Sequence, residues 1–121
     1  MLVRIILVTL GVITATPAAA LFAPGSLTTA YGMAVPSDPM ALSLLQHRGM
    51  LQAALGAALV WAAFQPLARI PVAATAIATK ATFLVLLGPD RLGDVLGVPF
   101  DLLAIVLLAF VIRHQLVASR A

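Results

Sequence analysis

Four long apolar runs restrict this chain more than any other feature of its sequence. They cover residues 5–22, 41–64, 70–88 and 95–112. A helix of about 20 residues crosses a hydrocarbon core of about 30 Å, so each run is long enough. Backbone polar groups inside lipid must be satisfied within the segment, and no alternating pattern typical of barrel strands occurs. The runs predict an all-α integral membrane protein, an antiparallel bundle of four transmembrane helices.

The composition agrees with a chain whose main partner is the lipid bilayer. Hydrophobic residues make up 63% of the 121 residues and charged residues only 9%, whereas a soluble domain has about 25% charged residues. The length allows one domain. We therefore predict a single membrane domain over residues 1–121, with helices at about 4–22, 41–64, 68–88 and 97–116.

The sequence carries no pattern for a nucleic-acid, metal or cofactor site. The seven basic residues are dispersed singly along the chain, whereas nucleic-acid binding needs a basic patch. Cysteine is absent, and the histidines His47 and His114 lie far apart without a second ligand at helical spacing. No phosphate-binding or dinucleotide-binding motif is present. We expect no metal, no cofactor and no nucleic acid.

The distribution of charge predicts the orientation of the helices. Lysine and arginine in short loops mark the cytoplasmic side. Four arginines fall on one side of the implied membrane: Arg4, Arg69, Arg113 and Arg120. All four acidic residues fall on or toward the other side: Asp38, Asp90, Asp94 and Asp101. The expected location is the inner (cytoplasmic) membrane, with both termini in the cytoplasm.

The first run has an alternative interpretation as a secretory signal. Arg4, an apolar stretch and the small residues of "TPAAALFA" follow the order of such a signal. Removal of residues 1–20 would leave three helices and an external N-terminus. The single arginine is a weak start for a signal, and the run is long enough to span, so we favour four helices.

Polar residues in all four helices fall at similar depths. Counting from the cytoplasmic ends at about 1.5 Å per residue places them about 15–20 Å deep. They are Thr14, Thr16, Gln52, Lys80 and Asp101. An unpaired charge at that depth is costly, and an opposite charge relieves the cost. We therefore predict that Lys80 and Asp101 pair, directly or through water, in an interior polar layer.

This layer is the predicted site. Its ligand-binding candidates are Thr14, Arg48, Gln52, Lys80 and Asp101, and its catalytic candidates are Asp101, Lys80 and His47. Arg48 and Gln52 share a helix face, whereas His47 lies about 100° around the helix from Arg48. Two structural alternatives to a ligand or proton site remain open. The Lys80–Asp101 pair could serve only to fix which helices meet, or the Lys80 side chain could extend to the membrane boundary. Tyr31 and Trp61 are interpreted as interfacial anchors.

Three functions are compatible with these residues. The leading one is a small multi-pass protein that binds a lipophilic small molecule or acts as an accessory partner in a larger membrane system. The alternative is a cofactor-independent isomerase or cyclase that acts on a lipophilic substrate by general acid–base chemistry. A proton-coupled transporter would require a homo-oligomer such as a dimer, because four short helices barely enclose a path. The chain has no glutamate, the usual carboxylate of small proton-coupled exporters.

Residues 44–88 carry a resemblance to a known group of proteins. The features are the basic pair His47–Arg48, the turn "AAFQPLAR" and the stretch "KATF". With these features the segment resembles small bacterial four-helix membrane proteins of the DoxX-like and related uncharacterised families. The resemblance implies the four-helix architecture. It implies no activity, and no catalytic residue is carried over from it.

Overall fold

The computed structural model describes residues 1–93, 95 and 97–120, and these residues form helices and turns without a strand. Within these residues there are five α-helices: α1 Leu2–Thr14, α2 Ser26–Tyr31, α3 Pro39–Phe64, α4 Arg69–Leu87 and α5 Val98–Ser119. Short 3₁₀ segments connect them at Thr16–Leu21, Pro66–Ala68 and Pro89–Arg91. The all-α prediction is confirmed. Asp94, one of the aspartates used to predict orientation, lies outside the described residues.

The first predicted helix is divided near Pro17. Helix α1 ends at Thr14, and the chain continues as the 3₁₀ segment Thr16–Leu21. Pro17 has no N–H to donate to the carbonyl of Ile13, and its ring would clash with that carbonyl in a continuous helix. The Thr16 hydroxyl donates to the Ile13 carbonyl instead, at 2.7 Å. The single helix predicted over residues 4–22 is therefore interrupted at this proline.

The start of α3 is fixed by its own sequence. The Asp38 carboxylate accepts a 3.1 Å hydrogen bond from the Met40 N–H, and Pro39 occupies the first helical position. Both features are typical of helix N-termini, where backbone N–H groups have no intrahelical partner. Helix α3 then runs 26 residues to Phe64.

Helices α1 and α3 pack in close antiparallel contact through glycines. A Cβ placed on Gly11 would lie 2.6 Å from the carbonyl oxygen of Gly56, and a Cβ on Gly49 would lie 2.5 Å from that of Pro17. Side chains are absent at the points where the two backbones meet. Such small residues permit close helix approach in membranes.

Helices α4 and α5 form a second antiparallel pair. Lys80 contacts Asp101, and Arg69 contacts Gln115, so rising numbers in one helix meet falling numbers in the other. Helix α3 also packs against α4 and joins the two pairs. The side chains of Leu7, Leu59, Leu108 and Val111 are fully buried between the helices.

Many large apolar side chains face outward. Val85 and Leu86 are 79% and 78% exposed in the isolated chain. Soluble proteins rarely expose large contiguous apolar patches, whereas lipid-facing helices require them. Three segments in the described residues are long and apolar enough to cross a membrane: Leu2–Leu21, Pro66–Leu87 and Val98–Ser119.

Helix α3 is not among these three segments. Its length is sufficient, but Gln46, His47, Arg48 and Gln52 lie in its N-terminal half and lower its apolar character. Three candidate spans are therefore established by length and composition, and a fourth span through α3 stays a prediction.

Candidate functional site

A cavity of about 290 Å³ lies where the long helices meet α2. We call it the central cavity. All five ligand-binding candidates line it: Thr14, Arg48, Gln52, Lys80 and Asp101. The structure thus brings together Thr14, Gln52, Lys80 and Asp101, which the depth count had placed near one level, and adds Arg48 to them.

The predicted pairing of Lys80 and Asp101 is confirmed as a direct contact. Lys80 Nζ donates a 3.0 Å hydrogen bond to Asp101 Oδ1. The side chains are 5% and 15% exposed, respectively, so Lys80 points into the bundle and does not extend along its surface. The ammonium also lies 5.1 Å from the centroid of the Phe100 ring, an arrangement that stabilises a buried cation. The pair forms one charged part of the cavity wall.

Arg48 lies between two aromatic rings in the same wall. Its guanidinium carbon is 4.5 Å from the Phe83 centroid and 5.4 Å from the Tyr31 centroid. One guanidinium nitrogen, Nη1, donates a hydrogen bond to the Tyr31 hydroxyl. Tyr31 and Phe83 contact each other edge to face, 6.3 Å between centroids. Tyr31, interpreted from the sequence as an interfacial anchor, thus belongs to the cavity wall.

Helix α2 is what positions Tyr31. This six-residue helix ends at Tyr31, and Gly32 follows with φ 64°, a left-handed conformation that glycine adopts without strain. The turn lets the chain leave the helix directly after the tyrosine. The sequence indicates a loop at this point. It does not show that the segment folds back and places Tyr31 against the bundle.

Thr14 brings an unpartnered hydroxyl to the cavity. Its side chain is 2% exposed, and Oγ1 has no hydrogen-bond partner among the described residues. A buried hydroxyl without a partner costs free energy. Thr14 Oγ1 is therefore an unsatisfied polar atom in a residue of the cavity wall.

A second cavity of about 430 Å³ shares part of this wall. Tyr31, Arg48 and Phe83 line both cavities, and Arg91 lines only the second. The cluster of Arg48 with its two aromatic neighbours therefore lies between the two spaces.

The structure does not bring His47 to these groups. His47 is exposed, and the walls of the central and second cavities do not include it. The reason is helix geometry, since consecutive residues on α3 point about 100° apart and Arg48 is the one directed inward. Of the three catalytic candidates, only Lys80 and Asp101 lie together.

Arg69 holds three helices together at the opposite end of the bundle. Its Nε donates to the carbonyl of Ala62 at 3.1 Å, Nη2 to that of Ala63 at 2.9 Å, and Nη1 to Gln115 Oε1 at 3.3 Å. The two carbonyls belong to the last turn of α3, where the regular helical donors are missing, and the Ala62 carbonyl also accepts from the Gln65 N–H at 3.3 Å. A cation also stabilises the negative end of a helix dipole. Sequence reasoning used Arg69 only as a topology marker.

Comparison with known proteins gave no match: no family model, no curated protein and no solved structure matches this chain.

Proposed function

We propose that the protein is a multi-pass membrane protein of four antiparallel spanning helices that binds a lipophilic small molecule in the central cavity. The observation that carries the proposal is the convergence of Thr14, Arg48, Gln52, Lys80 and Asp101 on that cavity. Small-molecule sites are concave and mostly apolar, with a few placed polar groups. This cavity has that character, because Ile13, Pro17 and Phe100 complete the wall.

A cavity favours binding over a purely structural role. If the ion pair served only to fix helix contacts, tight packing around it would suffice. Instead, the pair borders open space, and the Thr14 hydroxyl there has no partner within the described part of the chain. An accessory role in a larger membrane system is compatible with such a binding site.

Binding is also favoured over acid–base catalysis. Lys80 and Asp101 are engaged with each other at 3.0 Å, and the exposed His47 is not near them to relay a proton. An isomerase or cyclase would need a base that is free to take a proton from its substrate. A dimeric proton-coupled transporter has no specific observation in its favour.

The membrane setting belongs to the same proposal. In the antiparallel arrangement Arg4, Arg69 and Arg113 fall at one end of the bundle, which supports an inner membrane location with cytoplasmic termini. The resemblance to DoxX-like proteins is proposed on the sequence features alone. In this arrangement α3 is the fourth span, with Arg48 and Gln52 turned into the central cavity and away from lipid.

Native mass spectrometry of the purified chain in dodecyl maltoside tests the binding proposal, with decanol as an uncharged lipophilic probe. We expect saturable binding of one decanol per chain. Ala30→Phe should abolish it, because Ala30 lines the central cavity and a phenyl ring there would fill the space. The matched control is Ala57→Phe, since Ala57 is exposed on the lipid-facing side of α3. Equal decanol binding by the two variants would contradict a site in the cavity.

A further inference from the structure

We propose that the ligand of the central cavity is an amphiphile with a single carboxylate head, and that Arg48 binds this head. The inference rests on the proposed binding function and names the chemical class of its ligand. It begins from the charges in the wall. Among the described residues that line the cavity, Arg48 and Lys80 are cationic and Asp101 is anionic. The wall therefore carries one positive charge in excess.

The excess charge is located on Arg48. Lys80 and Asp101 form the one ion pair in the described part of the chain, so they neutralise each other. Arg48 has aromatic rings beside it and the Tyr31 hydroxyl on one nitrogen, but no described carboxylate within ion-pair distance. Arginine stays protonated in proteins. A half-buried guanidinium in an apolar membrane domain is costly, and a bound anion relieves that cost.

The geometry around Arg48 suits a carboxylate. Contact with the Phe83 ring face stabilises the cation but satisfies none of its N–H groups, and Tyr31 accepts from one of them. The remaining N–H groups lie in one plane and match the two oxygens of a carboxylate. Gln52 lies one helical turn after Arg48 on the same face and lines the same cavity.

The rest of the wall suits a short apolar chain. Ile13, Pro17, Val95 and Phe100 border the cavity, and they offer no partner to a second charged group. Thr14 also lines the cavity, and its Oγ1 has no hydrogen-bond partner among the described residues. A ligand with one anionic head and an apolar tail thus matches both the excess positive charge on Arg48 and the apolar part of the wall.

The test compares three probes of equal chain length: decanoate, decanol and decyltrimethylammonium. Each is titrated against the protein in dodecyl maltoside, and bound molecules are counted by native mass spectrometry. We expect wild type to bind decanoate at least about tenfold more tightly than decanol, the size of one charge-assisted hydrogen bond. Decyltrimethylammonium should bind more weakly than either.

Variants assign the preference to Arg48. Arg48→Gln should bind decanoate no better than decanol, whereas Arg48→Lys should keep part of the preference because it keeps the charge. The matched control is Arg113→Gln, which removes an exposed arginine at the far end of α5 and should leave the preference intact. Retention of the preference in Arg48→Gln would overturn the assignment. If Arg48→Gln fails to fold, the assignment is tested by the wild-type protein with the three probes and by Arg48→Lys. A wild-type protein that binds decanoate no better than decanol would then overturn it.

The outcomes separate this inference from the function on which it rests. If decanol binds in the cavity and decanoate binds no better, the binding function stands and the carboxylate inference fails. If decyltrimethylammonium binds best, Asp101 is the recognition group and the inference fails. If none of the three probes binds, the proposed function itself fails.

Discussion

Lys80 and Asp101 form a direct ion pair across α4 and α5, with 3.0 Å between Nζ and Oδ1 and little exposure of either side chain. Within a membrane, such a contact decides which two helices meet and in which register, because either charge alone is costly there. The pair also borders the central cavity. It therefore connects the stability of the bundle to the integrity of the site.

A charge-reversal cycle tests this connection. Lys80→Asp and Asp101→Lys should each lower the free energy of unfolding by about 3–5 kcal/mol, because each leaves two like charges buried together. The double variant should recover most of the loss. Thermal unfolding in dodecyl maltoside measures the effect, and Arg113→Asp at an exposed position serves as the control. If both single variants were as stable as the wild-type protein, the two charges would not be buried together.

Gly56→Ala should weaken the contact between α1 and α3. The added Cβ would overlap the backbone carbonyl oxygen of Gly11, which cannot move aside without separating the helices. Overpacking of this kind costs about 1–3 kcal/mol. Gly25→Ala is the matched control, because a Cβ there meets no atom within 4 Å. Unfolding by sodium dodecyl sulfate in mixed micelles compares the two, and equal stability would contradict the close packing of α1 on α3.

Arg69→Lys should lower stability while leaving the membrane topology unchanged. The guanidinium reaches two carbonyls of α3 and Gln115 of α5 at once, and a lysine ammonium cannot reproduce that fork. Hydrogen bonds to charged groups contribute about 1.5–3 kcal/mol each, so the thermal midpoint should fall measurably. Arg113→Lys, on the exposed surface, should have no effect. A wild-type midpoint for Arg69→Lys would mean that these bonds add nothing to stability.

Cysteine labelling tests whether α3 spans the membrane. The chain has no cysteine, so Ser37→Cys and Leu67→Cys each introduce a unique thiol at an exposed position, one before α3 and one after it. A membrane-impermeant maleimide should label Ser37→Cys in intact cells and Leu67→Cys only after lysis. Labelling of both from the same side would show that α3 does not cross. The reverse pattern would show that the orientation is inverted.

Fixed helix geometry explains why part of the site could be predicted from sequence. The rise per residue is constant in a helix, so counting from the charged ends places Thr14, Gln52, Lys80 and Asp101 at similar depths. The cost of a lone intramembrane charge then predicts that Lys80 and Asp101 pair. Pro17 likewise interrupts the helix through the local geometry of its ring and its missing N–H, which does not depend on tertiary structure.

Other parts of the site depend on tertiary contacts that no local pattern shows. Tyr31 reaches Arg48 only because α2 folds back onto the bundle and ends at Gly32. Phe83 and Phe100 look like ordinary lipid-facing residues in sequence, and their roles beside Arg48 and Lys80 appear only in the packed helices. Helix α3 is long but only moderately apolar, because polar residues in its N-terminal half lower its hydropathy, so hydropathy alone does not show whether it spans a membrane.

The order in which the pair is synthesised has a consequence for how the chain enters the membrane. Lys80 leaves the ribosome 21 residues before Asp101, so a membrane-spanning α4 would first meet the translocon with an ammonium that has no counter-ion. A lysine at the centre of a segment costs about 2.5–3.5 kcal/mol in translocon-mediated insertion. A membrane-spanning α4 is therefore expected to wait at the translocon for α5, and the two helices should then enter lipid together as a hairpin in which Lys80 and Asp101 are already paired.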